Sequence, residues 1–102
     1  MCIRDRVNWV RVEKSIAEIE CMKKAATISE MAMKTAMEAI SPDVRQCDAV
    51  AEIQRTLFRG TPEYGGEYAS IATLLPTGKG TSASHLSAID KKFVNGEATI
   101  IE

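Results

Sequence analysis

The longest regular pattern of apolar and polar positions covers residues 14–40, a stretch without glycine or proline. Alanine, methionine, glutamate and lysine predominate there, and all four favour helices. Apolar residues recur at steps of three and four, at Ile16, Ile19, Met22, Ala26, Met33, Met37 and Ile40. Ser15 and Glu18 have the spacing of a capping box, which predicts that the helix begins there. We therefore predict one long amphipathic helix whose apolar stripe, named here the methionine stripe, packs in the core.

A second helical pattern follows the sequence Ser41-Pro42-Asp43. Proline cannot continue a helix, and aspartate can cap the next one. Apolar positions again recur with the helical period until Gly60, a residue type favoured just after a helix end. These positions are Val44, Cys47, Val50, Ala51, Ile53 and Leu57. The short connection predicts that the two helices are antiparallel.

The last third of the chain has the pattern of short strands and loops. Residues 61–66 contain a proline and two glycines, which indicate a turn. Residues 67–75 and 98–101 are rich in apolar and β-branched side chains, so we predict strands there. The predicted fold class is therefore α+β, with two antiparallel amphipathic helices packed on part of an antiparallel sheet.

Composition excludes several classes of function. Thirteen basic residues nearly balance fourteen acidic ones, so no strong field is available to hold nucleic acid or an anionic membrane. No apolar run is long enough to cross a bilayer, and no secretory signal is visible, so we expect a cytoplasmic protein. Three unclustered cysteines do not have the spacing of a zinc site.

Two residues are the candidates for chemistry. His85 is the single histidine, and histidine is the residue type best suited to proton transfer near neutral pH; a solvated loop histidine is the alternative. Glu102 closes an apolar run, where a buried carboxylate is costly unless a cation or hydrogen-bond donors meet it; it can instead face water. The loop Gly78-Lys79-Gly80 lacks the ending of a phosphate-binding P-loop.

Three parts of the chain resemble the creatinase, prolidase and aminopeptidase P superfamily. Residues 10–25 are similar to the start of its catalytic domain, and residues 40–44 to its first helix connection. Residues 96–102, Gly-Glu-Ala-Thr-Ile-Ile-Glu, resemble a strand of the Gly-Asp-x-x-x-x-Asp type. Within the superfamily, Leu74-Leu75-Pro76-Thr77-Gly78 and Ser82-Ala83-Ser84-His85-Leu86 are most similar to the ectoine hydrolase subgroup.

The resemblance implies a domain organisation. Residues 7–13 would be a linker from a missing amino-terminal domain, and the sequence of residues 7–12 alone also allows a brief strand. Residues 14–102 would be the first part of a catalytic domain with the pita-bread fold, truncated at its carboxyl end. Residues 1–6 are expected to be a non-native leader.

The resemblance also implies roles for the candidate residues. His85 falls where relatives have a substrate-binding histidine that can carry a proton, so we expect it to be catalytic. Glu102 falls where the metallopeptidases of the superfamily have a metal-binding aspartate, and its longer side chain would disturb a two-metal site. We therefore expect Glu102 to bind substrate and expect no cofactor, the alternative being two divalent ions, Mn or Co. Both side chains should converge on one cavity.

Three functions follow as hypotheses. The first is part of a hydrolase that acts on a non-peptide carbon–nitrogen bond, as in ectoine; the second is part of an Xaa-Pro metallopeptidase. The third is a non-enzymatic helical interaction module. The expected partner is a small molecule, ectoine-like or a dipeptide, with no nucleic acid and no membrane. The parent enzyme is expected to be a homodimer, and the segment alone inactive.

Overall fold

The computed structural model of the chain describes residues 3–68 and 71–102. Its elements are the helices α1 (Ile3–Val12), α2 (Ile16–Ala39) and α3 (Gln46–Arg59), followed by a short 3₁₀ helix (Gly78–Ser82). The two predicted helices are confirmed as α2 and α3. The segment that the sequence allowed as a brief strand, residues 7–12, is helical and belongs to α1. Within the described residues, no helix is both long and apolar enough to span a membrane.

Helix α2 begins at the predicted capping box. The Ser15 backbone N–H donates to Glu18 Oε2 at 2.7 Å, and the Glu18 N–H donates to Ser15 Oγ at 3.3 Å. Each residue thereby satisfies a backbone donor that the first turn of a helix leaves free. The helix ends before Ile40, whose extended backbone leads into Pro42.

The capping box makes helix α2 sensitive to acid. Hydrogen bonds from the backbone and hydroxyl of Ser15 lower the pKa of Glu18. A carboxyl group with a lowered folded-state pKa contributes stability that is complete above its ordinary pKa, about 4.3, and is lost as the pH falls through the folded value. Far-ultraviolet circular dichroism should therefore report loss of helix on acidification. The Glu18→Gln chain should lose less helix over the same pH range, because its amide does not titrate. Identical acid profiles for the two chains would contradict this.

Helices α2 and α3 pack against each other in antiparallel orientation. Near their connection, Ala39 and Ile40 pack against the buried cluster that contains Ala49, and further away Thr35 Oγ1 and Thr56 Oγ1 lie 3.1 Å apart. Ala32 and Ala36 are the buried residues of α2. The side of α2 that faces α3 therefore carries small residues.

The prediction that the methionine stripe packs in the core is wrong for its methionines and for Ile16, whereas Ile40 packs against the core. Met22, Met33 and Met37 are 56%, 45% and 71% exposed, and Ile16 is 82% exposed. Successive residues of an α-helix lie 100° apart, so Met33 and Met37 point well away from the neighbouring alanines 32 and 36. Alanines let the two helix backbones approach closely, and the larger side chains are left on the outer side.

A second part of the core joins the helices to the last third of the chain. Ala49, Leu75 and Phe93 form one buried cluster, and Ala32, Ala36 and Ile53 form the other. Ile40 and Ile101 contact both clusters. These contacts hold residues 73–102 against α3.

The predicted α+β fold class is wrong, because the described residues form no strand and no sheet. Extended segments meet only through isolated bridges, including Leu74 with Ser87 and Thr77 with Thr99. Pro76 has no N–H to donate, and the 3₁₀ helix begins at Gly78, so pairing cannot continue along this segment. The predicted strand at residues 67–75 also includes positions 69 and 70, which lie outside the described residues.

Gly60 ends α3 in a conformation that other residues adopt at a cost. Its φ is 63°, and an added Cβ would lie 2.6 Å from the Tyr64 carbonyl oxygen and the Gly66 nitrogen. We expect Gly60→Ala to lower the free energy of unfolding by about 1–2 kcal/mol, because alanine is strained in the left-handed region. The clash of its Cβ should lower the free energy of unfolding further. Gly65→Ala is the matched control, because a Cβ there meets nothing within 4 Å. Equal urea midpoints for the two variants would refute this expectation.

Candidate functional site

The candidate residues lie on two segments that flank the stretch from Leu74 to Pro76. On one side, the Leu75 N–H donates to the Leu86 carbonyl at 3.1 Å. On the other, Leu74 and Glu102 exchange two backbone hydrogen bonds of 3.0 and 3.1 Å, and the Ile100 N–H donates to the Pro76 carbonyl at 3.0 Å. The loop of His85 and the segment of Glu102 are therefore both fixed to the same central stretch.

His85 lies on the loop that follows the 3₁₀ helix. Within that helix, Thr81 Oγ1 donates to the Gly78 carbonyl and Ser82 Oγ to the Lys79 carbonyl, each at 2.8 Å. His85 itself has a φ of 59°, in the left-handed region, where glycine is favoured and asparagine, aspartate and histidine occur more often than other residues. Its side chain is exposed, so water or a ligand can reach the imidazole.

Glu102 is fixed through its backbone, and its side chain is exposed. Together with Ile53, Leu57, Thr73 and Ile101 it lines a mostly apolar cavity of about 220 Å³ between the helices and the last segment. Thr73 is buried there, and the Gln54 side-chain amide donates to its hydroxyl at 2.6 Å. The carboxylate thus lies at the edge of a small apolar cavity.

The backbone pairing sets how far apart the two candidate residues are. Residues directly opposite in an antiparallel pair share a face, so Ser87, Leu74 and Glu102 lie on one face. The outer two of three paired segments are about 10 Å apart. His85 comes two residues before Ser87, and no hydrogen bond or ion pair in the described part of the chain joins its imidazole to Glu102. A cavity shared by these two side chains stays a prediction.

A larger cavity adjoins the His85 loop. It has a volume of about 530 Å³ and is named here the lysine cavity. Its lining includes Lys79, Lys91, Lys92, Gln46, Leu86 and Ile89. This cavity was not found from the sequence, because no motif surrounds Lys91, Lys92 or Gln46.

The residues described here do not by themselves form a metal centre. Catalytic metal sites need several carboxylate or imidazole ligands around one point. Across residues 3–68 and 71–102, no group of three histidine, cysteine, aspartate or glutamate side chains comes together in this way.

Several known proteins are similar to this chain. An ectoine hydrolase of Halomonas elongata is 40% identical over 101 residues, covering 94% of this chain. An uncharacterised hydrolase/peptidase of Sinorhizobium fredii is 38% identical over 94% of the chain. An Xaa-Pro dipeptidase of Pyrococcus furiosus is 26% identical over 98% of the chain. The chain spans about a quarter of the length of these relatives, 24% to 28%.

The family comparison corrects one expectation and confirms another. Residues 20–102 match the model of metallopeptidase family M24. The expectation of no cofactor is wrong, because members of this family and its Xaa-Pro dipeptidases normally use divalent metal ions. The sequence resemblance is confirmed by the match over most of the chain and by 40% identity to an ectoine hydrolase. This chain belongs to metallopeptidase family M24.

Proposed function

We propose that this chain is the first part of the catalytic domain of a hydrolase that acts on a non-peptide carbon–nitrogen bond, with ectoine as the substrate. The supporting observation is 40% identity to the Halomonas elongata ectoine hydrolase along 94% of the chain. The identity to the Xaa-Pro dipeptidase is lower, 26%. Since the chain spans a quarter of these relatives, the activity belongs to a longer parent protein.

His85 is proposed as the acid that protonates the leaving nitrogen. Opening a cyclic amidine requires a positioned water, a group that takes its proton and an acid for the departing nitrogen. The exposed imidazole on a backbone-fixed loop is suited to the last of these steps. A neutral imidazole can also accept a proton, so the same group can return to its starting state.

Glu102 is proposed to bind the substrate or to orient the attacking water. Its backbone is held by two hydrogen bonds to Leu74, which fix the position from which the side chain extends. A carboxylate there can balance the positive charge of an amidinium group. In a parent that holds divalent ions, Glu102 is the ligand that this segment contributes.

An Xaa-Pro peptidase is the second candidate function. It is favoured by the match to a metallopeptidase family and by the Xaa-Pro dipeptidase among the relatives. The two functions use different substrates, so a direct assay separates them.

The test is to recover the uninterrupted reading frame, to express the parent with Mn or Co supplied, and to follow ectoine and an Xaa-Pro dipeptide in parallel. We expect ring opening of ectoine, and loss of that activity after dialysis against a chelator, with recovery when Mn or Co is returned. Turnover of the dipeptide without turnover of ectoine would replace the first function by the second. Full activity after verified metal removal would contradict the expected metal dependence.

A further inference from the structure

The lining of the lysine cavity carries more positive than negative charge. Lys79, Lys91 and Lys92 line it, and Glu97 is the one acidic residue in its lining. Lys92 has a distant partner, Asp43, at 3.9 Å, and Asp43 is 91% exposed. A concave surface lined mainly by one sign of charge raises the local concentration of the opposite ion.

Gln46 supplies a hydrogen-bond donor at the wall of this cavity. The residue is 5% exposed, and its Oε1 accepts the Ile89 backbone N–H at 3.3 Å. The bond to Ile89 fixes which end of the amide is the oxygen. Across residues 3–68 and 71–102, the Gln46 amide nitrogen donates to no acceptor. No fully buried side-chain nitrogen or oxygen of the described residues lacks a partner, so this amide nitrogen is reached by solvent and is free to donate to an acceptor on a ligand.

The remaining wall is apolar and still open to solvent. Leu86, Ile89 and Val94 are 42%, 50% and 57% exposed and line the same cavity as the lysines. The volume of about 530 Å³ falls within the range of small-molecule sites. A ligand that covers these side chains needs an apolar body next to its charged group.

We propose that the lysine cavity binds a small carboxylate with an apolar body. The carboxylate accepts a hydrogen bond from the Gln46 amide nitrogen and lies among the ammonium groups of Lys79, Lys91 and Lys92. The apolar body covers Leu86, Ile89 and Val94. This inference goes beyond the proposed hydrolase, because it concerns binding by the present chain and needs no turnover.

Three probes separate the parts of this proposal. Hexanoate carries both the charge and the apolar body, hexanamide has the same body without the charge, and inorganic phosphate has charge without the body. Titration of the chain followed by two-dimensional NMR should give shifts at Gln46, Ser87, Ile89 and Lys91. We expect hexanoate to bind about tenfold more tightly than either other probe, the size of one charge-assisted hydrogen bond. Equal binding of hexanoate and hexanamide, or tighter binding of phosphate, would overturn the proposal.

Two variants test the residues. Gln46→Glu keeps an oxygen that accepts the Ile89 N–H but removes the amide donor and adds a negative charge, so hexanoate binding should weaken about tenfold or more. Lys91→Gln should weaken it by a smaller factor, and Lys23→Gln on the outer side of α2 is the matched control with unchanged binding. If the Gln46→Glu chain does not fold, the proposal is tested by comparing the hexanoate affinity of Lys91→Gln with that of Lys23→Gln. Unchanged hexanoate affinity in a folded Gln46→Glu chain, or equal affinities of the two lysine variants, would overturn the assignment.

Discussion

Replacing Leu75 with alanine is expected to destabilise the chain by about 2–5 kcal/mol, a large fraction of the stability of a domain this small. Leu75 is completely buried, and it is the largest fully buried side chain among the described residues. It forms one buried cluster with Ala49 and Phe93, so its loss leaves a cavity at the contact that joins the last third of the chain to α3. Small neighbours such as Ala49 cannot fill the space.

Urea unfolding followed by circular dichroism measures this effect. Leu86→Ala is the matched control, because it removes the same atoms from a side chain that is 42% exposed and is next to Leu75 through a backbone hydrogen bond. We expect the control to cost less than about 1 kcal/mol. Similar losses of unfolding free energy for both variants would contradict the view that the cluster of Ala49, Leu75 and Phe93 holds the last third of the chain against α3.

Changing His85 to asparagine in the parent hydrolase is expected to lower kcat by about 10²- to 10⁴-fold, the usual contribution of a general acid or base. This variant is chosen because of the positive φ at position 85. Asparagine tolerates the left-handed region, so the loop keeps its conformation, whereas most other residues would add strain. The asparagine amide can donate a hydrogen bond but cannot transfer a proton at neutral pH.

The pH profile of kcat separates proton transfer from simple positioning. In the unmodified enzyme we expect a limb that reports the titration of the imidazole, and this limb should disappear in His85→Asn. Ser84→Ala, one position earlier on the same exposed loop, serves as the control and should keep both rate and profile. A full rate in the His85→Asn enzyme would show that His85 takes no part in the mechanism. A lowered rate with an unaltered pH profile of kcat would show that His85 binds the substrate but does not transfer a proton.

Local signals predicted the helices because they depend on neighbouring residues. Ser15 and Glu18 contact each other across three positions, and Gly60 ends α3 through its own backbone conformation. The buried face of α2 was not predicted, since alanine is a weak hydrophobic signal and methionine a strong one. The close approach of α3 that favours Ala32 and Ala36 can be seen only in three dimensions.

Pairing in the last third depends on distant residues and was predicted less well. The β-branched content of residues 98–101 predicted a strand, and this was wrong, because the segment meets the residues around Pro76 only through an isolated bridge and a few backbone hydrogen bonds. Extended segments form a continuous β-ladder only where nothing interrupts their pairing. Here Pro76 and the 3₁₀ helix interrupt the pairing, so no ladder forms among the described residues. His85 was chosen because it is the single histidine, and Glu102 because its carboxylate closes an apolar run. The family resemblance then implied their roles. Gln46 was missed because its relevance comes from a contact with Ile89, forty-three positions away.

The exposed methionine stripe makes α2 a chemical reporter. Thioether sulfurs that water can reach are oxidised readily to sulfoxides, which turns an apolar side chain into a polar one. In this chain Met22 and Met37 are more than half exposed, so brief treatment with peroxide should modify them. Any surface that covers this side of α2 in a longer protein would protect the same sulfurs, and mass spectrometry of the oxidised peptides would then map that surface.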